Sequence, residues 1–167
     1  MQVLDLLSSR VSHLPEAAAD IGATGPGMNA EALAQNPRLE ARIVPDLIAQ
    51  PALPFPDNSF DLAFCSVSME YLIRPVAVLP EPGRALKPGS AAVITFSNRR
   101  FPTRAIESWM ELYPFERMGL VLEHFRQAGN FAALHGESLR GLPRPKDDRY
   151  AGQFVSSDPR VRGPGSR

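Results

Sequence analysis

The sequence has little cysteine, and its single copy, Cys65, excludes an internal disulfide framework and a zinc site built on several cysteines. Neither sign of charge is in excess, because 18 Lys and Arg residues balance 18 Asp and Glu residues. Electrostatic binding of nucleic acid or a membrane surface would require an excess of basic residues. No apolar run is long enough to cross a bilayer, and Asp5 interrupts the only stretch that resembles a signal-peptide core. These absences favour a protein of the reducing cytoplasm that binds neither nucleic acid nor membrane.

Length and composition predict one globular domain. The chain has 167 residues, of which 44% are hydrophobic and 22% charged, and this is the ordinary range for a folded protein. We expect the domain to cover residues 1–155. The remaining segment, 156–167, reads SSDPRVRGPGSR and is predicted to be a disordered tail, because it is polar and rich in proline and glycine.

Short apolar runs alternate with helical stretches, a pattern typical of an α/β domain with a mainly parallel sheet. The predicted strands are 3–7, 41–44, 60–67, 91–96, 131–134 and 150–155. The predicted helices are 16–19, 30–35, 75–86, 103–112 and 116–128. Pro80 and Pro82 fall inside the third of these helices, which we therefore expect to be short, split or absent. Residues 20–28 (DIGATGPGM) are predicted as a glycine-rich connection and 87–89 as a turn.

The glycine-rich segment Gly22–Gly27 has two interpretations. Glycines before a helix let the backbone approach a phosphate closely, and Asp46 follows at about the spacing of the acidic residue in a dinucleotide site. However, the strand expected before the turn is weak at 17–21, and no Tyr-x-x-x-Lys pair is present. An ordinary loop is therefore the preferred interpretation, with a dinucleotide site as the weaker alternative.

A second pattern is an ordered series of segments spread over residues 2–135. Its members are VLDLLSS at 3–9, GMN at 27–29, PDL at 45–47, LPFPDNSFD at 53–61, SVSMEYL at 66–72, RALKPG at 84–89 and FSNR at 96–99. In this order and spacing the chain resembles the class I S-adenosylmethionine-dependent methyltransferases, and in particular their type 11 domain. The resemblance implies a Rossmann-like three-layer sandwich with the cofactor across the carboxyl ends of the first strands.

The resemblance also implies which residues contact S-adenosylmethionine. By their positions in the family pattern, Asp5, Ser8 and Ser9 lie in the loop that holds the methionine part of the cofactor. Met28 and Asn29 lie where the ribose is held, and Asp46 and Leu47 lie where the adenine is held. The expected contacts are Asp5, Ser8, Ser9, Met28, Asn29, Asp46, Leu47, Ser66, Val67 and Tyr71. Each has a structural alternative: the aspartates can cap turns, Ser66 can bond to the backbone, and Tyr71 can belong to the core.

Several features depart from the family pattern. Serines replace the usual glycine-rich turn after the first strand, and no acid stands at Met28 or Asn29, where the ribose is commonly held. The sequence also begins at the first strand, without the helices that ordinarily precede it, and Pro80-Glu81-Pro82-Gly83 interrupts a helix that relatives carry unbroken. We therefore expect either an active methyltransferase, or a catalytically inactive methyltransferase-like binding module or truncated pseudoenzyme.

Catalytic groups are not evident from the sequence. His13, His124 and His135 have no carboxylate partner that spacing identifies, and Cys65 lies in the middle of a predicted strand, where a buried thiol is inert. No cluster predicts a metal site. The expected acceptor is a small molecule that receives the methyl group on oxygen, nitrogen or carbon, since positioning supplies much of the catalysis. Three aromatic residues are predicted to line the acceptor pocket or to join the core: Trp109, Phe115 and Phe125.

Overall fold

The computed structural model describes residues 1–15, 21–97, 106–139, 142–143, 146 and 160–166, the last segment through its backbone. Eight strands form one sheet: β1 Gln2–Asp5, β2 Gly22–Pro26, β3 Leu39–Ile43, β4 Phe60–Ser66, β5 Leu86–Ser97, β6 Ala133–Leu134, β7 Glu137–Leu139 and β8 Arg160–Ser166. Their order is β3-β2-β1-β4-β5-β8-β6, and β7 also pairs with β8. The pairs among β1 to β5 are parallel, whereas β8 runs antiparallel to its neighbours. The predicted α/β fold with a mainly parallel sheet is confirmed.

The described helices are α1 Ala30–Ala34, α2 Pro75–Val78, α3 Pro80–Ala85, α4 Glu107–Glu111 and α5 Pro114–Ala128, with a 3₁₀ helix at Met69–Tyr71. The predicted cap of α1 is confirmed, because Asn29 Oδ1 accepts a hydrogen bond from the Ala32 amide at 2.9 Å. The helix predicted at 75–86 is split at Leu79. Each half begins with a proline, which a first helical turn accommodates because its amide needs no partner.

The prediction of a glycine-rich connection at 20–28 was wrong over Gly22–Pro26, which forms β2 between β1 and β3. Glycine is required there by close packing. A Cβ on Gly25 would lie 2.6 Å from the Leu39 side chain, and one on Gly27 would lie 2.3 Å from the Ser8 carbonyl oxygen. The glycines therefore serve strand packing, and the dinucleotide interpretation loses the loop that it needs.

The prediction of a disordered tail was wrong over residues 160–166, which form β8. Its composition carries no strand preference, but β8 pairs with β5 over seven residues and so completes the hydrogen bonds of a long strand. The turn predicted at 87–89 lies within β5, where the pairing with β4 shifts register and Gly89 has a φ of +80°. The predicted helix 16–19 and strand 150–155 lie outside the described residues.

Two of the family-like segments contact each other at the amino edge of the sheet. Arg84 donates hydrogen bonds to the carbonyl oxygens of Leu53 and Phe55 at 3.1 and 2.8 Å, and it pairs with Asp57 and Glu81. One side chain therefore fixes the proline-rich segment before β4, which has few backbone hydrogen bonds of its own.

The largest core cluster packs β1, β4 and β5 against the helices that follow them. Trp109 of α4 stacks edge-on against Phe96 of β5 with 5.1 Å between the ring centroids, and Phe125 of α5 packs against Phe131. Of the three aromatic residues predicted for a pocket or the core, Trp109 and Phe125 are buried in the core, while Phe115 is exposed.

Candidate cofactor site at the carboxyl edge of the sheet

The predicted contact residues lie just beyond the carboxyl ends of β1, β2, β3 and β4, except Asp5 and Ser66, which are the last residues of their strands. Parallel strands end at one edge, so the fold brings these residues to the same side of the sheet. Two backbone links fix the relation of the first two strands: Ser8 bridges Gly27, and the Ser8 amide donates to the Pro26 carbonyl oxygen at 3.0 Å.

Asp5 is the centre of a buried polar network below this edge. Its Oδ2 accepts hydrogen bonds from the hydroxyls of Ser8 and Ser12, at 2.7 and 2.5 Å. Asn36 completes the network by donating to Ser12 Oγ at 3.0 Å and to the Ser9 carbonyl oxygen at 2.8 Å. Burial raises the pKa of Asp5, and the two serine hydroxyls oppose that shift. The carboxylate thus holds the loop after β1 in place from within the protein.

Ser12 and Asn36 were missed by the sequence analysis. Asn36 lies between the helix predicted at 30–35 and Pro37, and this position predicts only the end of the helix. Nothing in the sequence places its amide against a loop 27 residues earlier in the chain.

Two non-glycine residues adopt positive φ angles at this edge. Leu7, after β1, has a φ of 57°, and Val67, directly after β4, has a φ of 50°. A β-branched residue is rare in this conformation, which crowds its Cβ against the backbone. Leu7 is buried, and the Val67 amide donates to the Thr95 carbonyl oxygen at 2.7 Å, so neighbouring structure holds both turns. Leu7 lies in the loop where the family resemblance predicts glycine.

The residues after β2 and β3 form the exposed part of the site. Met28 and Asn29 are exposed, and the Asn29 amide oxygen is used to cap α1. Asp46 is also exposed, and its Oδ1 accepts hydrogen bonds from the amides of Ile48 and Ala49 at 3.1 and 3.0 Å. Its carboxylate is therefore held in a fixed direction at the surface, while Leu47 is buried beneath it.

The residues after β4 close the other side. Ser66 Oγ accepts a hydrogen bond from Thr95 Oγ1 at 3.1 Å, and Ser68 Oγ donates to the Ser66 carbonyl oxygen at 2.9 Å. Tyr71 is half-buried, and its side chain is hydrogen-bonded to Glu70. Glu70 itself is only 1% exposed. The sequence analysis did not identify Glu70 as a candidate site residue.

Aliphatic side chains surround this edge on its open side. The residues concerned are Val11, Met28, Val44, Ile48, Val67 and Ile73, and all are exposed. Arg74 Nη1 donates to the Ile48 carbonyl oxygen at 2.9 Å and so links the segment after β3 to the one before α2. These six residues follow the same strand ends as the polar groups of Asn29 and Asp46, so the edge carries both polar and apolar surface.

The described residues contain no group of three His, Cys, Asp or Glu side chains that could hold a metal ion. In the same part of the chain, no helix is long and apolar enough to cross a membrane. Burial raises the pKa of Cys65 far above that of a free thiol, which makes it inert as a nucleophile.

Comparison with known proteins agrees with this geometry. The sequence profile of the family described as "Methyltransferase domain" matches residues 19–94. The ubiquinone/menaquinone biosynthesis C-methyltransferase UbiE of Roseobacter denitrificans is 34% identical over 96 residues, which is 55% of this chain and 36% of the relative. The UbiE protein of a Ruegeria species is 35% identical over 98 residues, with the same two shares. The chain thus spans about a third of the length of these curated relatives.

Solved structures show the same fold at low sequence identity. A methyltransferase dependent on S-adenosylmethionine from Archaeoglobus fulgidus superposes with a TM-score of 0.65 at 16% identity, covering 99% of this chain and 86% of that one. The Haloferax volcanii methyltransferase solved in complex with the Trm112 activator gives a TM-score of 0.61 at 22% identity, with coverages of 99% and 81%.

The strand order, with five parallel strands followed by an antiparallel one, defines a Rossmann-like α/β fold. Within that class, the profile match over residues 19–94 and the curated relatives show that part of this chain is similar to methyltransferases, and the solved structures with the same fold include enzymes that use S-adenosylmethionine.

The polar groups at this edge match those that S-adenosylmethionine presents. S-adenosylmethionine presents an adenine amine, ribose hydroxyls and a positively charged sulfur. The edge presents an exposed carboxylate at Asp46 and an amide at Asn29, and two further carboxyl groups, Asp5 and Glu70, are buried next to it. The close approach of Gly27 to Ser8 leaves no room there for a side chain.

Proposed function

We propose that this protein is an S-adenosylmethionine-dependent methyltransferase that acts on a small-molecule acceptor. The observation that carries the proposal is that ten residues, chosen from the sequence by family resemblance, converge on one edge of a sheet with the strand order of that class. They are Asp5, Ser8, Ser9, Met28, Asn29, Asp46, Leu47, Ser66, Val67 and Tyr71.

Each side of the edge has a proposed role in binding. S-adenosylmethionine supplies an electrophilic methyl group on a positively charged sulfur. The exposed carboxylate of Asp46, already fixed by two backbone amides, accepts a hydrogen bond from the adenine amine. Asn29 offers a neutral amide to the ribose. The loop at 6–12, fixed by Asp5, receives the methionine part, so Asp5 acts through Ser8 rather than by direct contact.

The relatives favour carbon among the three acceptor atoms. Both are named as C-methyltransferases of ubiquinone and menaquinone biosynthesis. The six exposed aliphatic residues around the edge suit an acceptor with an apolar part. A reducing cytoplasm is the proposed location, since the single cysteine is buried and unpaired.

Isothermal titration with S-adenosylhomocysteine, with NADP as the control ligand, tests the cofactor site without knowledge of the acceptor. We expect micromolar binding of the first ligand alone. Asp46→Ala should weaken binding about tenfold, as expected for a hydrogen bond to a charged group. Asp57→Ala is the matched control, because this exposed carboxylate precedes β4 at the opposite edge.

A folded sample that binds neither ligand would contradict the proposal. Binding of S-adenosylhomocysteine without methyl transfer to a panel of quinols, phenols and amines would instead favour the inactive binding module. The specific observation in favour of that alternative is Leu7, a bulky residue at positive φ in the loop where the family resemblance predicts glycine.

A further inference from the structure

In the described part of the chain, one oxygen of the buried Glu70 carboxyl group lacks a hydrogen-bond partner. Its side chain is 1% exposed, and Oε2 has no hydrogen-bond partner among the described residues. Buried polar atoms are almost always paired in native proteins, so an unpaired one requires an explanation, such as a catalytic role or a missing ligand.

Its position connects the cofactor edge to the helices behind it. Glu70 lies in the 3₁₀ helix directly after β4, and its carbonyl oxygen accepts a hydrogen bond from the Ile106 amide, at the start of α4, at 2.9 Å. Cys65, near the end of β4, has its pKa raised in part by the charges of both Asp5 and Glu70. The two carboxyl groups therefore lie close to the same end of β4.

Among the described residues, burial and nearby polar groups act in opposite directions on the charge of Glu70. Arg117 of α5 is the described cation that acts on Glu70, but its Nε donates to the Trp109 carbonyl oxygen at 3.0 Å and its guanidinium lies 5.7 Å from the centre of the Trp109 ring. The Tyr71 side chain also favours ionisation of Glu70. Burial outweighs the opposing effects of Arg117 and Tyr71, so the pKa of Glu70 is raised above its ordinary value.

We propose that Glu70 is the carboxylate that recognises the positive sulfur of S-adenosylmethionine, so that binding of this cosubstrate ionises a buried side chain. The inference rests on the proposed function, because it assumes that the cosubstrate lies across the carboxyl ends of β1 and β4. S-adenosylhomocysteine has nearly the same shape but a neutral thioether, and it leaves Glu70 protonated. Glu70 is thus a specificity-determining residue that favours the charged cosubstrate over the spent product.

Proton linkage distinguishes the two ligands without any acceptor. Each ligand is titrated calorimetrically in two buffers of different ionisation enthalpy, at a series of pH values above the ordinary glutamate pKa of about 4.3. We expect S-adenosylmethionine to release a fraction of a proton more than S-adenosylhomocysteine does. Glu70→Gln should remove this difference and lower the affinity ratio of the two ligands roughly tenfold, which corresponds to a coupling of one pKa unit.

Glu123→Gln is the matched control. It makes the same chemical change on an exposed carboxylate of α5 and should keep the wild-type difference. Equal proton release by both ligands in the wild type, or a difference that persists in Glu70→Gln, would overturn the inference while leaving the cofactor site intact. A folded wild type that binds neither ligand would overturn the proposed function and the inference with it. If Glu70→Gln does not fold, Glu70→Asp replaces it: the shorter carboxylate should keep proton release but reduce the affinity ratio.

Discussion

Asn36 donates a hydrogen bond to the carbonyl oxygen of Ser9 at 2.8 Å, across 27 positions of the sequence. This bond and the one to Ser12 join the loop after β1 to the turn between α1 and β3. The loop forms part of the cofactor edge. The conformation of this part of the edge therefore depends on Asn36, which lies outside it.

Asn36→Ala should destabilise the protein by about 1–3 kcal/mol, because it removes the amide that donates to the buried Ser12 hydroxyl and to the part-buried Ser9 carbonyl oxygen. Urea denaturation measures this free energy. Gln35→Ala, at the exposed neighbouring position, should stay within about 0.5 kcal/mol of the wild type. Equal effects of the two substitutions would show that the network contributes nothing beyond its surroundings.

Gly27→Ala should both destabilise the protein and weaken S-adenosylhomocysteine binding. The added Cβ would lie 2.3 Å from the Ser8 carbonyl oxygen, so the loop after β1 must move away from β2. Gly119→Ala is the control, because a Cβ there meets nothing within 4 Å and lies inside α5. That substitution should stabilise the protein by about 0.5–1 kcal/mol through helix propensity. Thermal melting and calorimetry measure the two effects, and unchanged ligand binding in Gly27→Ala would count against a site at this loop.

The stability of the free protein should fall with rising pH through the contribution of Glu70. A carboxyl group whose pKa is raised by folding binds its proton more tightly in the folded state. Its contribution is fully present below the ordinary pKa of about 4.3 and is lost as the pH rises through the raised value. Glu70→Gln cannot ionise, so its stability relative to the wild type should increase between pH 4 and pH 8. Urea denaturation at a series of pH values measures the difference, and a difference independent of pH would contradict the prediction.

Val67→Asn should raise the stability of the protein by about 1 kcal/mol. Asparagine tolerates the positive φ at this position, whereas a β-branched residue is strained there, and the 37% exposure of Val67 limits the loss of packing. Val44→Asn, at another exposed valine of the same edge without a positive φ, should not be stabilising. We also expect Val67→Asn to weaken S-adenosylhomocysteine binding, since it removes an apolar contact. A melting temperature that does not rise would show that the surrounding structure already relieves the strain.

The central strands and α5 were predictable because their residues follow simple periodicities. The apolar run at 60–67 gave β4 to within one residue, and Gly129, in the left-handed conformation, ends α5 where the sequence places a helix stop. β2 was not predictable in this way. Its sequence, GATGP, suits a loop by propensity, and its strand conformation depends on close contacts with Leu39 and Ser8 that come from distant parts of the chain.

The location of the site residues could be predicted from the sequence, but their hydrogen bonds could not. Asp5 and Asp46 both lie at the edge that the resemblance implies, yet Asp5 is turned into a serine network and Asp46 caps its own turn. The location of Glu70, by contrast, could not be predicted. Its burial depends on α4 and α5, which pack behind β4, and no local pattern around SMEYL encodes that packing.

Strand β8 is synthesised long after β5, the strand with which it pairs, and this delay affects folding during translation. Strands β1 to β5 lie within residues 2–97, so this half of the sheet can assemble while the rest of the chain is still being translated. Over that interval β5 is an unpaired edge, and seven of its residues find their antiparallel partner only when residues 160–166 leave the ribosome. An exposed edge of this length is a template for pairing with another chain. The nascent protein is therefore most prone to aggregate in the interval between the synthesis of residue 97 and that of residue 166.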